Sequence, residues 1–300
     1  MNEQQRCGFV ALVGAPNSGK STLMNRLVGA KVSIVTHKVQ TTRAIVRGIA
    51  TEGSTQLVFI DTPGIFKPRR KLDQAMVAAA WGGARDADIV LALLDAAAGI
   101  TAEAESILAG LAEVAHPAAL AINKIDRVRR ENLLELSARA NALARFEATF
   151  MISALTGDGC HELTEWLAAK APPGPWHFAE DEIIDFPVRQ LAAEITREKL
   201  FLRLHEELPY ESHVETEGWE EKPDGSLRIA QVVYVERDGQ KKIVIGKGGQ
   251  TIKAISQAAR KEIAEVLERP VHLFLFVKVR ENWSDDPARL RAMGLANDRS

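Results

Sequence analysis

The sequence contains few cysteines and no long hydrophobic run, and each absence removes a class of protein. Cys7 and Cys160 are its two cysteines, and they lack the spacing typical of a metal site. We therefore exclude a disulfide-rich secreted scaffold and expect both thiols to be packing residues in a reduced, cytoplasmic setting. No apolar run reaches the roughly 18 residues that span a bilayer, and the N-terminal MNEQQR has no features of a signal peptide.

The chain also lacks an excess of basic charge. Its formal net charge is −2, so any nucleic-acid site must be a local patch rather than a property of the whole surface. We find no internal repeat and no low-complexity tract. The sequence has 300 residues, of which 46% are hydrophobic and 26% charged, which is typical of a soluble protein with one large domain or two medium ones.

The first 170 residues alternate between strand-like and helix-like segments. Their short apolar runs are typical of parallel strands buried on both faces, and helical patterns at 103–114 and 131–146 lie between them. The alternation predicts an α/β fold with a mostly parallel central sheet. One antiparallel pair is expected, 43–51 beside 55–61. The predicted buried strands are CGFVALVG (7–14), TQLVFIDT (55–62), ADIVLALLD (87–95), AALAINK (118–124) and ATFMISA (148–154).

The composition changes at 170–180, where KAPPGPWHFAE carries three prolines and a glycine. Such a stretch is typical of a domain boundary. We predict a first domain over 1–172, a linker over 173–182 and a second, α+β domain over 183–300. In the second domain we expect helices at 186–205, 249–267 and 286–293, and strands at 212–220, 227–237 and 271–280.

The stretch GAPNSGKS at 14–21 matches the phosphate-binding loop pattern G-x-x-x-x-G-K-S. Gly14 and Gly19 permit a tight turn that gathers several backbone N–H groups, and a helix starting near Gly19 adds its positive end. Lys20 can reach the outer phosphates, and Ser21 can offer its hydroxyl to Mg²⁺. The predicted nucleotide contacts in this loop are Gly14, Ala15, Pro16, Asn17, Ser18, Gly19, Lys20, Ser21 and Thr22.

Three further stretches, each at the end of a predicted strand, indicate which nucleotide is bound. In DTPG, Asp61 can hold the Mg²⁺ shell, and Gly64 can bring its N–H close to a γ-phosphate. In NKID, Asp126 can accept hydrogen bonds from guanine N1–H and the exocyclic amine, a donor pair that adenine lacks. In SAL, a backbone N–H can meet guanine O6. Their shared placement at strand ends argues against accident. The predicted contacts here are Asp61, Thr62, Pro63, Gly64, Asn123, Lys124, Asp126, Ser153, Ala154 and Leu155, with Asn123 and Lys124 bracing the loop and covering the base.

This set of motifs resembles the translation-factor-like class of regulatory GTPases. Within that class, QTTR at 40–43 supplies the switch threonine that contacts Mg²⁺ and the γ-phosphate. The resemblance assigns this role to Thr42, which directly precedes an arginine, with Thr41 as the alternative. The predicted metal ligands are therefore Ser21, Thr42 and Asp61.

No side-chain acid or base for catalysis is visible in the sequence. Ras-type enzymes place a glutamine directly after the DxxG glycine, whereas this chain has Ile65, which cannot orient water by hydrogen bonding. We expect slow hydrolysis that rests on positioning by Lys20, Thr42 and Gly64. Asn17 resembles an asparagine that helps bind K⁺ in related GTPases, and bracing of the loop is the alternative role.

A second glycine-rich stretch, VIGKGGQTIKAIS at 244–256, contains a G-x-x-G loop. KH modules use such a loop to clamp about four nucleotides of single-stranded RNA. We expect Ile243, Ile245, Ile252 and Ile255 to form an apolar groove for the bases. Seven basic residues against one acid between 237 and 261 form a local basic patch. The predicted RNA contacts are Lys241, Lys242, Ile245, Gly246, Lys247, Gly248, Gly249, Ile252 and Lys253.

The combination of DTPG and NKID with a C-terminal KH-like order of elements resembles the Era-like family of bacterial ribosome-assembly GTPases over essentially the whole chain. The resemblance implies a P-loop GTPase domain followed by a type II KH domain, with GTP or GDP, Mg²⁺ and, through Asn17, K⁺. It further implies a monomer that binds the 3′ region of small-subunit (16S) ribosomal RNA and acts in maturation of the 30S subunit. Peripheral contact with the inner face of the cell membrane is implied by the resemblance alone.

Two other interpretations stay open at this point. The second domain could bind protein or membrane rather than RNA, although the basic glycine loop argues against this. The chain could also be a P-loop kinase, but a kinase has no need of the guanine-reading NKID stretch.

Overall fold

The structure is a computed structural model that describes residues 4–36, 38, 42–68, 71–111, 116–205, 208–293 and 295. The chain divides into two compact units. The first comprises Met1–Ser33, Val39–Asp185 and Arg291–Ser300, and the second comprises Ile34–Lys38 and Phe186–Leu290.

A seven-stranded sheet forms the centre of the first unit. Its strands are β1 (Arg6–Gly14), β2 (Val46–Glu52), β3 (Thr55–Asp61), β4 (Ile89–Asp95), β5 (Ala118–Asn123), β6 (Ala148–Met151) and β7 (Ile184–Asp185). They lie in the order β6-β5-β4-β1-β3-β2-β7, and all neighbours pair in parallel except that β2 is antiparallel to β3 and to β7. The mostly parallel sheet and the antiparallel pair β2–β3 of the prediction are confirmed, whereas the antiparallel pairing of β2 with β7 was not predicted.

Five helices accompany this sheet in the described part of the first unit. They are α1 (Lys20–Val28), α2 (Lys71–Asp86), α3 (Ala102–Leu111), α4 (Arg130–Leu143) and α5 (Cys160–Lys170). Every residue of β3 is buried, as expected for a strand with helices on both faces of its sheet. Ala84 of α2, Ile107 and Leu108 of α3 and Leu136 of α4 belong to one buried cluster with residues of β1, β4 and β5. The apolar runs therefore form the core that holds the strand ends in place.

The proline-rich stretch after α5 is fastened to the first unit. The Cys7 N–H donates to the Pro172 carbonyl at 3.2 Å. The fully buried side chain of Gln56 accepts from the N–H groups of His177 and Phe178 at 3.0 and 3.1 Å and donates to the Phe178 carbonyl at 3.0 Å. Residues that we expected to form a linker are therefore hydrogen-bonded to the sheet, and the division between the units falls between 185 and 186.

The second unit is an α+β module with a three-stranded sheet. Its elements are α6 (Val188–Arg203), β8 (Ser212–Glu221), β9 (Leu227–Val235), α7 (Asp238–Ile245), α8 (Gln250–Val266), β10 (Val271–Val279) and the first part of α9 (Pro287–Ala292), whose last two residues group with the first unit. The strand order is β10-β9-β8, with β8 antiparallel and β10 parallel to β9. The order of helices and strands around the glycine loop confirms the predicted type II KH arrangement. Leu200, Val233, Val244 and Ile255 belong to its buried core.

No helix within the described ranges combines the length and the hydropathy needed to cross a membrane.

Gln56 provides a test of how the 172–178 stretch is held. We expect Gln56→Leu to lower the free energy of unfolding by about 2–4 kcal/mol, because two backbone N–H groups and a carbonyl lose their partner in a buried site. Urea unfolding of the full chain measures this change. Glu52→Ala, at an exposed position beside the turn of the same hairpin, should stay within about 0.5 kcal/mol of the parent. Equal stability of Gln56→Leu and the parent would show that the stretch does not depend on this side chain.

Candidate functional site

The carboxyl ends of four parallel strands meet at one edge of the large sheet. β1 ends at Gly14, β3 at Asp61, β4 at Asp95 and β5 at Asn123, and the stretch after β6 continues to 153–155. In open α/β sheets this edge is where ligands bind. All predicted nucleotide-site residues that the structure describes are placed in this unit, whereas Gln40 and Thr41 lie outside the described residues.

The phosphate-loop lysine lies over its own loop. The Lys20 Nζ donates to the carbonyls of Gly14 and Ala15 at 3.1 and 3.0 Å. Gly19 precedes α1 with φ of 100°, a conformation that L side chains rarely adopt, and no side chain caps the helix. The N–H groups of the first turn of α1 therefore belong to the candidate anion site.

Asp61 is the meeting point of three hydroxyl groups. Its Oδ2 accepts from the hydroxyls of Ser21 at 2.7 Å, Ser33 at 2.8 Å and Thr42 at 3.2 Å, and the Ser21 and Thr42 oxygens are 3.0 Å apart. The other carboxylate oxygen, Oδ1, is buried and has no hydrogen-bond partner among the described residues. The structure therefore brings together the three predicted metal ligands, and it adds Ser33, which the sequence did not single out.

Burial changes the acidity of both charged groups in this site. Desolvation lowers the pKa of Lys20 to about 8, although the nearby Asp61 carboxylate acts to raise it. Desolvation also raises the pKa of the Asp61 carboxyl, against the opposing effects of Lys20 and of the three hydroxyl donors. A buried charge is costly unless it is paired. A bound ligand that carries charge would therefore stabilise the ionised forms of Lys20 and Asp61.

These groups fit a Mg²⁺–phosphate ligand. Mg²⁺ takes oxygen ligands in octahedral geometry and is commonly held by one or two protein oxygens together with substrate phosphates. Within the described ranges, no group of three or more His, Cys, Asp or Glu side chains could hold a metal ion by itself. A single carboxylate with an unpartnered oxygen, beside two hydroxyls and a phosphate loop, matches the metal of a nucleotide complex rather than a free-standing metal site.

Gly64 and Ile65 are positioned by contact with the phosphate loop. A Cβ at Gly64 would lie 2.8 Å from the Pro16 nitrogen, so no other residue fits there without displacing the loop. The Ile65 N–H donates to the Gly14 carbonyl at 3.2 Å, and its side chain is buried in the core cluster. The side chain of Ile65 is thus packed in the protein interior and takes no part in orienting water.

Asn123 joins three loops of the site. Its Nδ2 donates to the Ser18 carbonyl at 2.9 Å, and its Oδ1 accepts from the N–H groups of Lys124 at 2.8 Å and Ala154 at 2.9 Å. The bracing role predicted from NKID therefore has a definite geometry. It also means that the Ala154 N–H is engaged with Asn123, which leaves the Leu155 N–H as the candidate donor to guanine O6.

Lys124 spans from the phosphate loop to the end of β4. It adopts φ of 68°, and its Nζ donates to the Asn17 carbonyl and the Asp95 carboxylate, both at 2.6 Å. The sequence did not indicate Asp95 as a member of the site. The signal that could have identified Asp95 in the sequence is its position at the end of a buried strand.

Asp126 lies at the rim of the site with its carboxylate exposed to solvent. Its Oδ1 accepts from the Ser153 hydroxyl at 2.6 Å. Arg26 of α1 donates to the carbonyls of Ala154, at 3.2 Å, and Leu155, so the last loop is held from a second side. An oriented carboxylate beside a fixed loop can accept a pair of N–H donors from a planar ring.

The glycine loop of the second unit connects α7 to α8. Gly246 has φ of 75°, and a Cβ there would lie 2.1 Å from the Thr251 Oγ1. Gly248 and Gly249 have φ of 59° and 76°, and a Cβ on either would meet nothing within 4 Å. Lys247, between Gly246 and Gly248, is exposed. The backbone of this loop is therefore open to a ligand, at a helix N-terminus that no side chain caps.

The apolar groove predicted beside this loop needs a correction. Ile255 is fully buried in the core cluster of the second unit, and Ile252 packs against the same cluster. The prediction that Ile255 contacts bases is wrong, because the helical period of 3.6 places it on the core face of α8. Ile243 is 60% exposed. Lys253 lies on α8 as expected, and Lys241 and Lys242 lie on α7, a helix that the sequence did not predict.

Residues 34–38, which lead toward Thr42, group with the second unit. The Val35 N–H donates to the Glu198 carboxylate of α6 at 2.9 Å, and the Lys38 Nζ donates to the Leu204 carbonyl. Glu198 is buried and also pairs with Lys199 at 2.7 Å. The sequence contained no signal for this arrangement.

Comparison with protein families gives two matches along the chain. A family model described as 50S ribosome-binding GTPase matches residues 9–124, and a KH domain model matches residues 207–284.

Among curated proteins, the chain is 70% identical over 290 residues to the GTPase Era of Rhizobium meliloti (strain 1021), covering 97% of this chain and 93% of that protein. It is 64% identical over 292 residues to the GTPase Era of Brucella suis biovar 1 (strain 1330), covering 97% and 94%.

Two solved structures are similar over the whole chain. One is Era in complex with MgGDPNP and nucleotides 1506-1542 of 16S ribosomal RNA, and the other is an Aquifex aeolicus Era variant bound to GDP·AlF4⁻. Each has a TM-score of 0.92 and 37% sequence identity, and each comparison covers 98% of this chain and 100% of the other.

The lowered pKa of Lys20 makes stability depend on pH in the nucleotide-free protein. Between about pH 8 and the ordinary value of 10.5, the unfolded chain holds a proton on this amine that the folded protein has released. The free energy of unfolding should therefore rise with pH across that window, by up to about 3 kcal/mol from this group alone.

Urea unfolding at pH 7.5 and pH 9.5 measures the effect. Lys20→Met should remove this part of the rise, whereas Lys67→Met, at an exposed position, should keep it. Parallel pH profiles for the parent and Lys20→Met would contradict the assigned burial cost.

Proposed function

The chain belongs to the Era family of GTPases, and from that premise we propose that it binds the 3′ region of small-subunit ribosomal RNA and acts as a slow GTP-hydrolysing switch in maturation of the 30S subunit. The observation that carries the proposal is the likeness, over 98% of this chain, to an Era structure in complex with MgGDPNP and nucleotides 1506-1542 of 16S ribosomal RNA. The family model that matches the first unit is named for the 50S subunit, but its match covers only residues 9–124. We therefore give the whole-chain relative more weight.

Guanine is the base that the site suits. Asp126 presents a carboxylate oriented by Ser153, and guanine offers the N1–H and exocyclic amine pair that a carboxylate accepts. Lys124 lies between the phosphate loop and Asp95, where its aliphatic stem can cover a base. The loop at 153–155, held by Asn123 and Arg26, would supply the backbone donor to O6.

Ser21, Thr42 and Asp61 would hold Mg²⁺ with the nucleotide phosphates. When bound, the ion neutralises charge that develops on the phosphate oxygens during hydrolysis. The same three side chains form one hydrogen-bonded group, so a ligand that draws Ser21 and Thr42 toward itself changes the partners of Asp61. The position of Thr42 would therefore depend on which nucleotide is bound.

Hydrolysis would proceed without a side-chain base. Ile65 is packed in the core, so positioning falls to Lys20, Thr42 and the N–H of Gly64, which lies against the phosphate loop. K⁺ bound through Asn17 would add positive charge beside the phosphates. The carbonyl of Asn17 accepts from Lys124, which supports the alternative of loop bracing.

The glycine loop would clamp the RNA backbone. Gly248 and Gly249 leave open space where phosphates can approach, and Lys247 adds charge at an exposed position. Small-subunit maturation places this activity in the cytoplasm. We further propose a monomer. Peripheral membrane contact, which the resemblance implied, stays a prediction.

Base choice tests the guanine assignment. Asp126→Asn should weaken GTP binding by about 2–4 kcal/mol, because an amide cannot accept both donors, and it should favour xanthosine triphosphate. Competition titrations with a fluorescent nucleotide measure both affinities. Asp158→Asn removes an exposed carboxylate near the same loop and should leave the preference unchanged. Parental GTP affinity in Asp126→Asn would refute the assignment.

Reversal of charge at the glycine loop tests RNA binding. A Lys247→Asp and Gly248→Asp double variant should lose about 1–3 kcal/mol of RNA affinity per contact and keep GTP binding. Aspartate tolerates the left-handed conformation at 248, and nothing there lies within 4 Å of a Cβ, so folding should survive.

Filter binding with single-stranded RNA from the 3′ region of 16S ribosomal RNA measures the loss. An Asn132→Asp and Arg139→Asp double variant changes the net charge equally at exposed positions of α4, outside the basic patch at 237–261, and serves as the control. Equal RNA affinity of the loop variant and this control would favour the alternative of a protein- or membrane-binding second unit.

A further inference from the structure

Ser33 is a buried residue of the first unit that lies outside the nucleotide-binding motifs. Its side chain is 3% exposed, and its hydroxyl donates to the Asp61 Oδ2 at 2.8 Å. The same oxygen accepts from Ser21 and Thr42, which are predicted metal ligands, whereas Ser33 is not. If the Ser21 and Thr42 oxygens turn to Mg²⁺, Ser33 remains as a hydroxyl donor to the carboxylate.

The backbone around Ser33 is fixed by one side chain of α1. The Asn25 Oδ1 accepts from the N–H groups of Val32 and Ser33, both at 2.9 Å, and its Nδ2 donates to the Ser33 carbonyl at 2.7 Å. The neighbouring Val32 side chain is buried. An amide that engages both backbone groups of one residue leaves that residue little freedom to rotate. Ser33 is therefore held independently of Asp61, and its hydroxyl meets the carboxylate from a fixed position.

Helix α1 connects this clamp to the phosphate loop. Asn25 follows Ser21 by four residues, so the two side chains lie on the same face of the helix, one turn apart. Asp61 lies at the end of β3. Its position relative to α1 is fixed twice, by the Ser21 hydrogen bond of 2.7 Å and by the path from Asn25 through Ser33. The second path persists when Ser21 changes its partner.

A carboxylate that holds a metal shell needs a defined rotation about its Cβ–Cγ bond. The Asp61 side chain is fully buried, and its Oδ1 has no hydrogen-bond partner within the described part of the chain. A lasting donor to Oδ2 keeps Oδ1 available in one direction. Hydrogen bonds of this kind orient metal ligands, and their loss typically weakens metal affinity about 10–100-fold.

We propose that Ser33 is a positioning residue for the Mg²⁺ site, which holds the Asp61 carboxylate in the orientation that the metal shell requires, and that Asn25 acts through Ser33. The inference rests on the proposed Mg²⁺–nucleotide binding and adds two residues to it. Ser33 determines how strongly Mg²⁺ tightens nucleotide binding, and it leaves the contacts between the phosphate loop and the nucleotide unchanged.

The dependence of nucleotide binding on Mg²⁺ tests this role in the full chain. Titration of a fluorescent, non-hydrolysable GTP analogue with Mg²⁺ present, and again with EDTA in its place, gives two dissociation constants, whose ratio measures the contribution of the metal. Ser33→Ala should reduce this ratio about tenfold, because the carboxylate loses a fixed donor. The affinity in EDTA should stay at the parental value, since the phosphate loop loses no contact.

A matched serine provides the control. Ser226 is also 3% exposed, and its hydroxyl donates to the Asp224 carboxylate at 2.6 Å in the second unit. Ser226→Ala therefore removes the same kind of hydrogen bond away from the nucleotide site, and it should keep the parental ratio. Ser33→Thr restores a hydroxyl and should recover most of the metal effect.

Asn25 gives an independent test of the path through Ser33. Asn25→Ala frees the backbone of Ser33 and should also reduce the ratio. The Asn25→Ala and Ser33→Ala double variant should be no worse than Ser33→Ala alone, because both changes interrupt one path. Multiplication of the two losses would show that Asn25 does not act through Ser33.

Two outcomes would overturn the positioning role of Ser33. One is a parental ratio in Ser33→Ala, and the other is an equal loss of affinity with Mg²⁺ and with EDTA, which indicates a structural defect rather than a change at the metal. A parent whose affinity does not depend on Mg²⁺ would instead refute the proposed metal site on which the inference rests. Thermal unfolding of each nucleotide-free variant verifies that the fold is kept.

Discussion

The N–H groups in the first turn of a helix have no partner within the helix, and both candidate sites are built around such a helix start. α1 begins after Gly19 and α8 after Gly249, both glycines have positive φ, and no side chain caps either helix. Uncapped N-termini require oxygens from elsewhere, and phosphate groups supply them. The two units share no sheet, yet each presents the same kind of helix start to a phosphate chain.

The surroundings of the two glycines differ in a way that matches their proposed ligands. A Cβ on Gly19 would lie 2.2 Å from the Asn123 Nδ2, so the phosphate loop is enclosed and fixed by the guanine-reading stretch. A Cβ on Gly248 would meet nothing. A closed loop suits a single nucleotide with a defined number of phosphates, and an open loop suits a polymer that must pass through. The closed site also contains Asp61 with its three hydroxyl partners, which makes nucleotide binding there dependent on a metal ion.

The sequence predicted the features that depend on residues close together in the chain. It missed those that depend on contacts between residues far apart in the chain. The loop at 14–21 and the NKID stretch were found because their spacing is short and each lies at a strand end. Ser33 was missed because its partner, Asp61, is 28 residues away, and Gln56 was missed because it binds the backbone of 177–178. Ile255 was misplaced because an isoleucine beside a glycine loop fits a groove and a core equally well until the face of α8 is known.

We propose that one chain holds two phosphate ligands at separate helix N-termini. Native mass spectrometry of the full chain with Mg²⁺, a non-hydrolysable GTP analogue and single-stranded RNA from the 3′ region of 16S ribosomal RNA tests it directly. We predict a complex of one protein, one nucleotide and one RNA, and an RNA excess should not displace the nucleotide. Mutually exclusive binding of nucleotide and RNA would contradict the account.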